Sequence, residues 1–147
     1  MTIKVTVHKN RFNLDNMRDG IVRIGWFQQN RYDDNTPVAA VARWNEFGTG
    51  NIPSRPFMRP VLHSQKQTIL ENLRHQYQMA IRNNQNTTKV LHLIGEDVRW
   101  RIQSQILATT TPPNAPSTIK AKGFNKPLYD TGFMLNSVNY QVEELFR

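Results

Sequence analysis

The sequence contains no cysteine among its 147 residues. This absence excludes a disulfide scaffold, a zinc–thiolate site and a cysteine nucleophile, and nothing argues for an oxidising compartment. No apolar run approaches the roughly 20 residues that span a bilayer, and the N-terminal residues alternate instead of forming a signal-peptide block. We therefore expect a soluble protein that stays in the cytoplasm when it is made and has no membrane partner.

Motifs for catalysis and metal binding are also lacking. The four histidines are scattered, and no two of them stand four residues apart with a glutamate between, as zinc hydrolases require. The adjacent acidic residues at 33–34 and 96–97 point in different directions, which favours solvated charge over a cation site. The glycine-flanked turn at 48–50 is too short for a phosphate-binding loop and lacks its lysine. We expect no catalytic residue, no metal and no cofactor, and hence no enzyme.

Negative charge is in short supply. The chain carries 19 Lys and Arg against 11 Asp and Glu, a formal charge of +8 and a pI near 10.2. A polyanionic neighbour such as DNA is one explanation, and a solubilising surface or an acidic protein partner is the other. Because no run of five like charges occurs, composition leaves both explanations open.

Alternating apolar residues predict the strands. They indicate half-buried strands at 2–8 and 21–27, and a final strand within 134–144 whose inward residues would be Val138, Tyr140 and Val142. The polar residues 9–19 form a connection of undefined structure. At this length, one domain covering 1–147 is the simplest organisation.

Helical spacing predicts three helices. The first covers 38–47, begins at the Thr36 cap with Pro37 in the first turn, and ends at Gly48. Within it, the side chains of Arg43 and Glu46 could pair. We expect four aromatic residues before and within this helix to lie in the core; they are Trp26, Phe27, Trp44 and Phe47.

The two longer helices are predicted at 61–82 and 87–108. The second has one continuous aliphatic face, made of Val90, Ile94, Val98, Ile102 and Ile106. Gly95 beside this face indicates that another backbone crosses closely there. The predicted fold is therefore α+β, with a small antiparallel sheet from both chain ends packed against two long central helices.

Two proline-rich segments, 48–60 and 109–132, connect these elements. In the first, prolines fix their own φ angles and push Ile52, Arg55 and Arg59 out of the helical region. In the second, one or two helical turns could begin at Ser117 and end at Gly123. Both segments place cations beside large apolar groups, a composition suited to contact with another surface.

We expect the subunit or partner interface to consist of Arg55, Phe57, Met58, Arg59, Pro116, Ile119 and Leu128. Phe57, isolated between prolines, would anchor either in a partner or in a pocket formed by its own chain. The spaced lysines Lys120, Lys122 and Lys126 suit contact with DNA phosphates or an acidic partner, and a solvated loop surface is equally open.

These segments carry a family resemblance. Residues 42–49, Ala-Arg-Trp-Asn-Glu-Phe-Gly-Thr, and 52–60, Ile-Pro-Ser-Arg-Pro-Phe-Met-Arg-Pro, resemble the virion-morphogenesis and tail-completion proteins of long-tailed bacteriophages. A second hallmark of that family resembles residues 112–123, Pro-Pro-Asn-Ala-Pro-Ser-Thr-Ile-Lys-Ala-Lys-Gly, 126–132, Lys-Pro-Leu-Tyr-Asp-Thr-Gly, and 135–140, Leu-Asn-Ser-Val-Asn-Tyr.

The resemblance implies a non-enzymatic virion protein of the neck or upper tail, assembled in the bacterial host cytoplasm. It implies a homo-oligomeric ring, often a hexamer, between head-side connector or adaptor proteins and the tail tube or tail terminator proteins. A tail terminator or minor tail subunit is the alternative within this class. A DNA-binding module is the alternative from another class, although no helix-turn-helix, finger or aromatic-sheet signature is present. Packaged DNA inside a basic ring lumen would unite the two.

On the ring hypothesis, the two proline-rich segments reach neighbouring subunits. Phe57 and Met58 would fill a groove of the neighbour, and Arg55 and Arg59 would pair with its acidic groups. The segment 109–132 would reach an adjacent ring or the tail tube.

Overall fold

The computed structural model describes residues 1–6 and 19–145. Within this part of the chain, two strands are followed by six helices and a third strand. In order they are β1 (Thr2–Val5), β2 (Asp19–Gly25), α1 (Val38–Phe47), α2 (Met58–Ser64), α3 (Lys66–Arg82), α4 (Thr88–Ala108), α5 (Pro116–Lys122), α6 (Phe133–Asn136) and β3 (Asn139–Leu145).

The sheet joins strands from both ends of the chain. Its order is β1-β2-β3 and both pairs are antiparallel, with Thr2 opposite Arg23 in one ladder and Val22 opposite Val142 in the other. Val22 and Ile24 of the central strand are buried, because their alternating β-branched side chains point toward the helices. The predicted α+β class and the antiparallel sheet from both chain ends are confirmed.

The helix α4 packs on this sheet. All five members of its predicted aliphatic face are buried, and they lie against β2 and β3 on one side and α2 and α3 on the other. Residues four apart fall on one side of a helix, so a single unbroken stripe can cover the sheet along the whole of α4. The prediction of a buried stripe at this spacing is confirmed.

Gly95 lies where α4 approaches β3, but its neighbour is a side chain. A Cβ at position 95 would lie 2.3 Å from Cδ2 of Tyr140. The ring of Tyr140 therefore occupies the space that a larger residue would need. The predicted crossing of a second backbone at this glycine is wrong, and the close approach of an aromatic ring takes its place.

We expect Gly95→Ala to lower the free energy of unfolding by about 2 kcal/mol, because the Tyr140 ring must move out of its packed position. Urea unfolding followed by circular dichroism would measure the loss. Gly50→Ala is the control, since a Cβ there would meet nothing within 4 Å. Equal effects of the two substitutions would contradict the packing argument.

The first long helix begins earlier than predicted and is interrupted. It consists of α2 and α3, with Gln65 between them at φ −110° and ψ 1°. Pro60 lies in the first turn of α2, where its missing N–H costs no hydrogen bond. The expectation that Pro60 keeps Arg59 out of a helix is therefore wrong.

The predicted glycine ends of α1 and α5 are confirmed, whereas the predicted residues at their starts are not. Gly48 ends α1 and Gly123 ends α5, both with φ of 79°, a conformation that favours glycine. The predicted caps are wrong, since Pro37 precedes α1 and Ala115 precedes α5, and neither helix has a side-chain cap bond.

The strand bounds also shift. β1 ends at Val5, and the predicted continuation to residue 8 lies partly outside the described residues, as does the polar connection up to residue 18. β2 begins and ends two residues earlier than predicted. The predicted last strand divides into α6 and β3, although Val138, Tyr140 and Val142 do face the core.

Candidate functional site

Glu46 organises the first proline-rich segment. Its carboxylate accepts hydrogen bonds from the backbone N–H groups of Phe57, Met58 and Arg59 at 2.7, 2.9 and 2.9 Å. These groups begin α2, where N–H donors have no partner within the helix. A carboxylate at this end satisfies the donors and also complements the helix dipole. Glu46 therefore fixes the point at which the proline-rich segment becomes a helix.

Glu46 is only 3% exposed, yet the pKa of its carboxyl group lies below the usual range. Burial alone would raise its pKa, but the hydrogen bonds from Met58, Phe57 and Arg59 outweigh burial and lower the pKa below the usual glutamate range. The predicted Arg43–Glu46 pair does not form, because Arg43 is exposed and Glu46 faces α2. Sequence reasoning missed this role of Glu46.

Arg59, whose side chain is partly exposed, binds the same carboxylate from the solvent side. Its Nε lies 3.0 Å from Oε1 of Glu46, and its Nη2 donates to the Glu46 carbonyl at 2.6 Å. Its guanidinium also lies 5.0 Å from the centre of the Phe47 ring, a cation–π contact. The acidic partner of Arg59 is thus in its own chain, which removes the reason to expect a neighbour's carboxylate there.

Arg55 links the two proline-rich segments. It is only 6% exposed, and its Nε and Nη2 donate to the carbonyls of Pro112 and Pro113 at 2.7 and 2.8 Å. The planar guanidinium matches two successive carbonyls, a geometry that lysine cannot reproduce. Burial lowers the pKa of Arg55. The expected pairing with a neighbour's acidic groups is corrected, since both observed partners of its side chain are carbonyls within the chain.

Arg55→Lys should loosen the second proline-rich segment, because lysine keeps the charge but cannot bridge both carbonyls. We expect amide exchange within residues 109–132 to accelerate about tenfold, and stability to fall by about 2 kcal/mol. Hydrogen exchange read by mass spectrometry would measure the first effect. The exposed Lys120→Ala on the same segment is the control, and unchanged exchange in Arg55→Lys would contradict the link.

Phe57 lies in the core. Its side chain is 0% exposed and meets the Trp26 ring edge-on, with ring centres 5.6 Å apart. Of the two predicted anchoring sites, its own chain therefore provides the pocket. The expectation that Phe57 fills a neighbour's groove is corrected, because the folded-back segment buries the ring. Met58 follows it and packs partly against the core.

The remaining predicted interface residues lie in the second proline-rich segment. Pro116 is exposed in the first turn of α5, and Ile119 is half-buried on the same helix. Leu128 is half-buried with φ of 60°, an unusual backbone angle for leucine. Their positions do not contradict a role in an interface, and that role stays a prediction for all three residues.

The three lysines do not form one basic surface. Lys122 donates through Nζ to the carbonyls of Lys126 and Tyr129, and Lys126 donates to the carbonyl of Leu107. Burial lowers the pKa of Lys122, the charge of Arg55 adds to this, and Asp130 opposes it. Only Lys120 of the three is exposed. The structure therefore assigns Lys122 and Lys126 to bracing the loop.

A groove of about 540 Å³ lies between the two proline-rich segments. Its apolar lining includes Trp44 and Ile52 as well as Leu128 and Phe133. Its polar lining includes Asp34, Tyr32 and Asp130 together with the cations Arg55 and Lys122. Burial raises the pKa of the Tyr32 hydroxyl, and the charges of Asp130 and Asp34 raise it further. Both segments that carry the family resemblance thus contribute residues to one concave surface.

Trp44 and Phe47 correct a further expectation. Both were expected in the core, yet both are exposed, Phe47 to 62%. The buried residues of α1 are Val38, Ala42 and Glu46, spaced four apart, so the two aromatic residues face outward. That four-residue spacing is the sequence signal that could have identified Glu46 as buried and the aromatic pair as exposed.

Several large apolar side chains lie on the surface of the described chain. They are Trp44, Phe47, Met79, Ile81, Leu93, Trp100, Leu107, Phe124 and Phe133. Single exposed apolar residues are normal, but tryptophan and phenylalanine together at a groove, and leucine with tryptophan along one helix, are typical of binding surfaces.

Metal and membrane sites find no support in the described residues. Within residues 1–6 and 19–145, no group of three or more His, Asp or Glu could hold a metal ion. In the same residues, no helix combines the length and apolar character needed to cross a membrane.

Comparison of the chain with known protein families, with curated proteins and with solved structures gives no match.

Proposed function

We propose that the protein is a structural component of a bacteriophage virion, a ring subunit of the neck or upper tail that joins the head connector to the tail tube. Position as a tail terminator or minor tail subunit is the alternative within the same class. The proposal rests on the resemblance of residues 42–60 and 112–140 to tail-completion proteins.

The observation that favours this function most is the link between the two resembling segments. Arg55 of the first binds the Pro112 and Pro113 carbonyls of the second, which lie 57 and 58 residues away. Glu46 and Arg59 fix the first segment onto α1 and α2. Segments with this many internal bonds are preorganised, which lowers the ordering cost of binding a neighbour. A building block that must form the same contact repeatedly benefits from such rigidity.

The surface left for that contact surrounds the groove. Trp44 and Phe133 line it and are exposed, and Phe47, three residues after Trp44 on α1, is exposed as well. Aromatic residues are enriched at interfaces, where they bury a large area at a low entropy cost. We propose that this groove surface meets a different surface of the neighbouring subunit, the heterologous contact that closes into a ring. It replaces Arg55, Phe57 and Arg59 as the proposed interface, because those side chains are committed within the chain.

Most of the cations that were expected to contact DNA are engaged within the chain, which weakens the DNA-binding alternative. Lys122 and Lys126 donate to backbone carbonyls, and Arg55 is buried. The chain nevertheless carries a net charge of +8, which could face packaged DNA in a ring lumen. Salt-dependent DNA binding by the purified chain, with a slope of several counterions, would favour this alternative.

Paired substitutions test the ring contact. Trp44→Glu with Phe47→Glu should convert the assembled species into smaller ones in sedimentation velocity, because charge at these two exposed aromatic positions of α1 prevents their burial. The matched control is Met79→Glu with Ile81→Glu, two exposed apolar residues on α3. Circular dichroism would establish that both variants fold. Assembly that survives the groove substitutions but not the control would overturn the assignment of this surface.

A further inference from the structure

The hydrogen bonds of the sheet show which backbone groups point away from its two edges. The Met1 amine donates to the Ile24 carbonyl at 2.8 Å, and the Ile24 N–H donates to the Met1 carbonyl at 2.7 Å. In an antiparallel ladder, successive residues of a strand direct their backbone groups to opposite sides. Because Met1 and Ile24 form a bonded pair, Thr2 and Lys4 of β1 direct their N–H and C=O groups away from β2.

The same alternation defines the outer edge of β3. Arg23, next to Ile24 on the central strand, bonds in the other direction, to Gln141. The residues of β3 whose backbone groups point away from β2 are therefore Tyr140, Val142 and Glu144. A separate contact agrees with this assignment, since the Tyr140 N–H donates to the Asn139 side-chain oxygen at 2.8 Å instead of to β2. Among residues 1–6 and 19–145, only β2 pairs with β1 or β3, so both outer edges face no strand.

The two edge strands carry side-chain charges of opposite sign. β1 has one charged side chain, Lys4, and β3 has two, Glu143 and Glu144. Glu143 binds Arg23 of the central strand and is half exposed, and Glu144 accepts from the neutral Thr88 hydroxyl. Two β3 edges would together bring four carboxylates and two arginines, a net negative contact, and two β1 edges would bring lysine beside lysine. Charge therefore disfavours pairing of like edges and favours pairing of β1 with β3.

We propose that the β3 edge of each subunit pairs with the β1 edge of the next subunit, so that the sheets continue from copy to copy. This inference rests on the proposed ring function and adds a second contact between neighbours to the groove surface. Within the chain, β1 and β3 are both antiparallel to β2 and hence parallel to each other. A rotation about an axis along the strands keeps that direction, so the new pair is also parallel. Each chain supplies one edge of each kind, and a closed ring therefore pairs every edge.

The side chains select one register for this pair. With Lys4 of the next copy beside Glu143, the ammonium group meets an exposed carboxylate on the outer face of the sheet. The same register places Ile3 of the next copy beside Val142, on the face that packs against the helices. A shift by one residue would join the exposed face of one sheet to the covered face of the next. Charge and burial therefore favour the same register.

Disulfide capture tests this pairing, because the chain has no native cysteine. In the proposed register, Thr2 of one copy lies beside Gln141 of its neighbour, about 4.8 Å away. Within one chain β2 separates these two exposed positions by about 9.6 Å, whereas a disulfide needs Cα atoms within about 7 Å. Under mild oxidation, a chain with both Thr2→Cys and Gln141→Cys should give a ladder of covalent oligomers that ends at the ring size. Each single variant should stay monomeric on a non-reducing gel.

Charge reversal supplies a matched control. Adding Lys4→Glu to the double-cysteine chain should reduce the yield of covalent oligomers about fivefold, because it places a carboxylate beside Glu143 of the neighbour. Lys66→Glu makes the same change in net charge at an exposed position of α3, a helix that packs on α2 and α4, and should leave the yield unchanged. Equal losses in the two variants would contradict the Lys4–Glu143 register.

Electron microscopy of the same samples distinguishes failure of the edge pairing from failure of the ring function. Rings without a covalent ladder would overturn the edge pairing and leave the proposed ring function standing. Samples with neither rings nor covalent oligomers would overturn both. Efficient dimer formation by Gln141→Cys alone would show that two β3 edges pair with each other and would overturn the pairing of unlike edges.

Discussion

Replacing Phe57 with alanine should lower the free energy of unfolding by about 4 kcal/mol, since it removes a fully buried ring and leaves a cavity beside Trp26. The loss would be measured by urea unfolding at a fixed protein concentration, with tryptophan fluorescence as one probe and circular dichroism as a second. A fixed concentration matters because association stabilises the folded state by mass action.

The matched control is Phe47→Ala. It removes the same side chain ten residues earlier, from a position that is 62% exposed, and should cost less than about 1 kcal/mol. If the two substitutions cost the same, Phe57 would not be the core residue that the structure makes it. A large effect of Phe57→Ala on association with no effect on stability would restore the original interface hypothesis.

Replacing Glu46 with alanine should cost about 3 to 5 kcal/mol. The substitution leaves the N–H groups of Phe57, Met58 and Arg59 without their acceptor, and it removes the partner of the Arg59 guanidinium. Equilibrium unfolding would measure the loss. Arg43→Ala is the control, because sequence pairs Arg43 with Glu46 while the structure leaves Arg43 exposed, and it should change stability by less than about 0.5 kcal/mol.

Glu46 should also make stability depend on pH. Its pKa is lower in the folded chain than the usual value of 4.5, so the unfolded chain binds the proton more tightly. The stability that its charge contributes is complete above about pH 4.5 and is lost as the pH falls through the lower, folded pKa. The urea midpoints of the native chain and of Glu46→Gln should therefore differ at pH 7 and converge in acid. Parallel curves down to pH 3 would contradict this.

Features set by neighbouring residues were predictable from the sequence. The buried stripe of α4 follows from aliphatic residues four apart, and the ends of α1 and α5 follow from Gly48 and Gly123. The sheet strands follow from alternation, although their bounds shift by a few residues. Together these local signals give the α+β class correctly.

Features set by distant contacts were not predictable. Arg55 finds its acceptors 57 and 58 residues away, and no local pattern distinguishes a buried arginine from an interface arginine. The prolines around Phe57 predict an extended segment, but they do not show that this ring packs against Trp26 or that a helix begins at Met58. The burial of Glu46 was predictable, because this residue continues the four-residue spacing of Val38 and Ala42. It was missed because glutamate is polar.

The central claim is that this chain assembles into a closed ring in a virion neck or tail. Electron microscopy of the purified full-length chain tests it most directly, across a range of protein concentrations and at low and physiological salt. We predict end-on views with a central hole and a single rotational symmetry, reduced by Trp44→Glu with Phe47→Glu. Particles no larger than one or two 17.1 kDa chains under all of these conditions would contradict the claim.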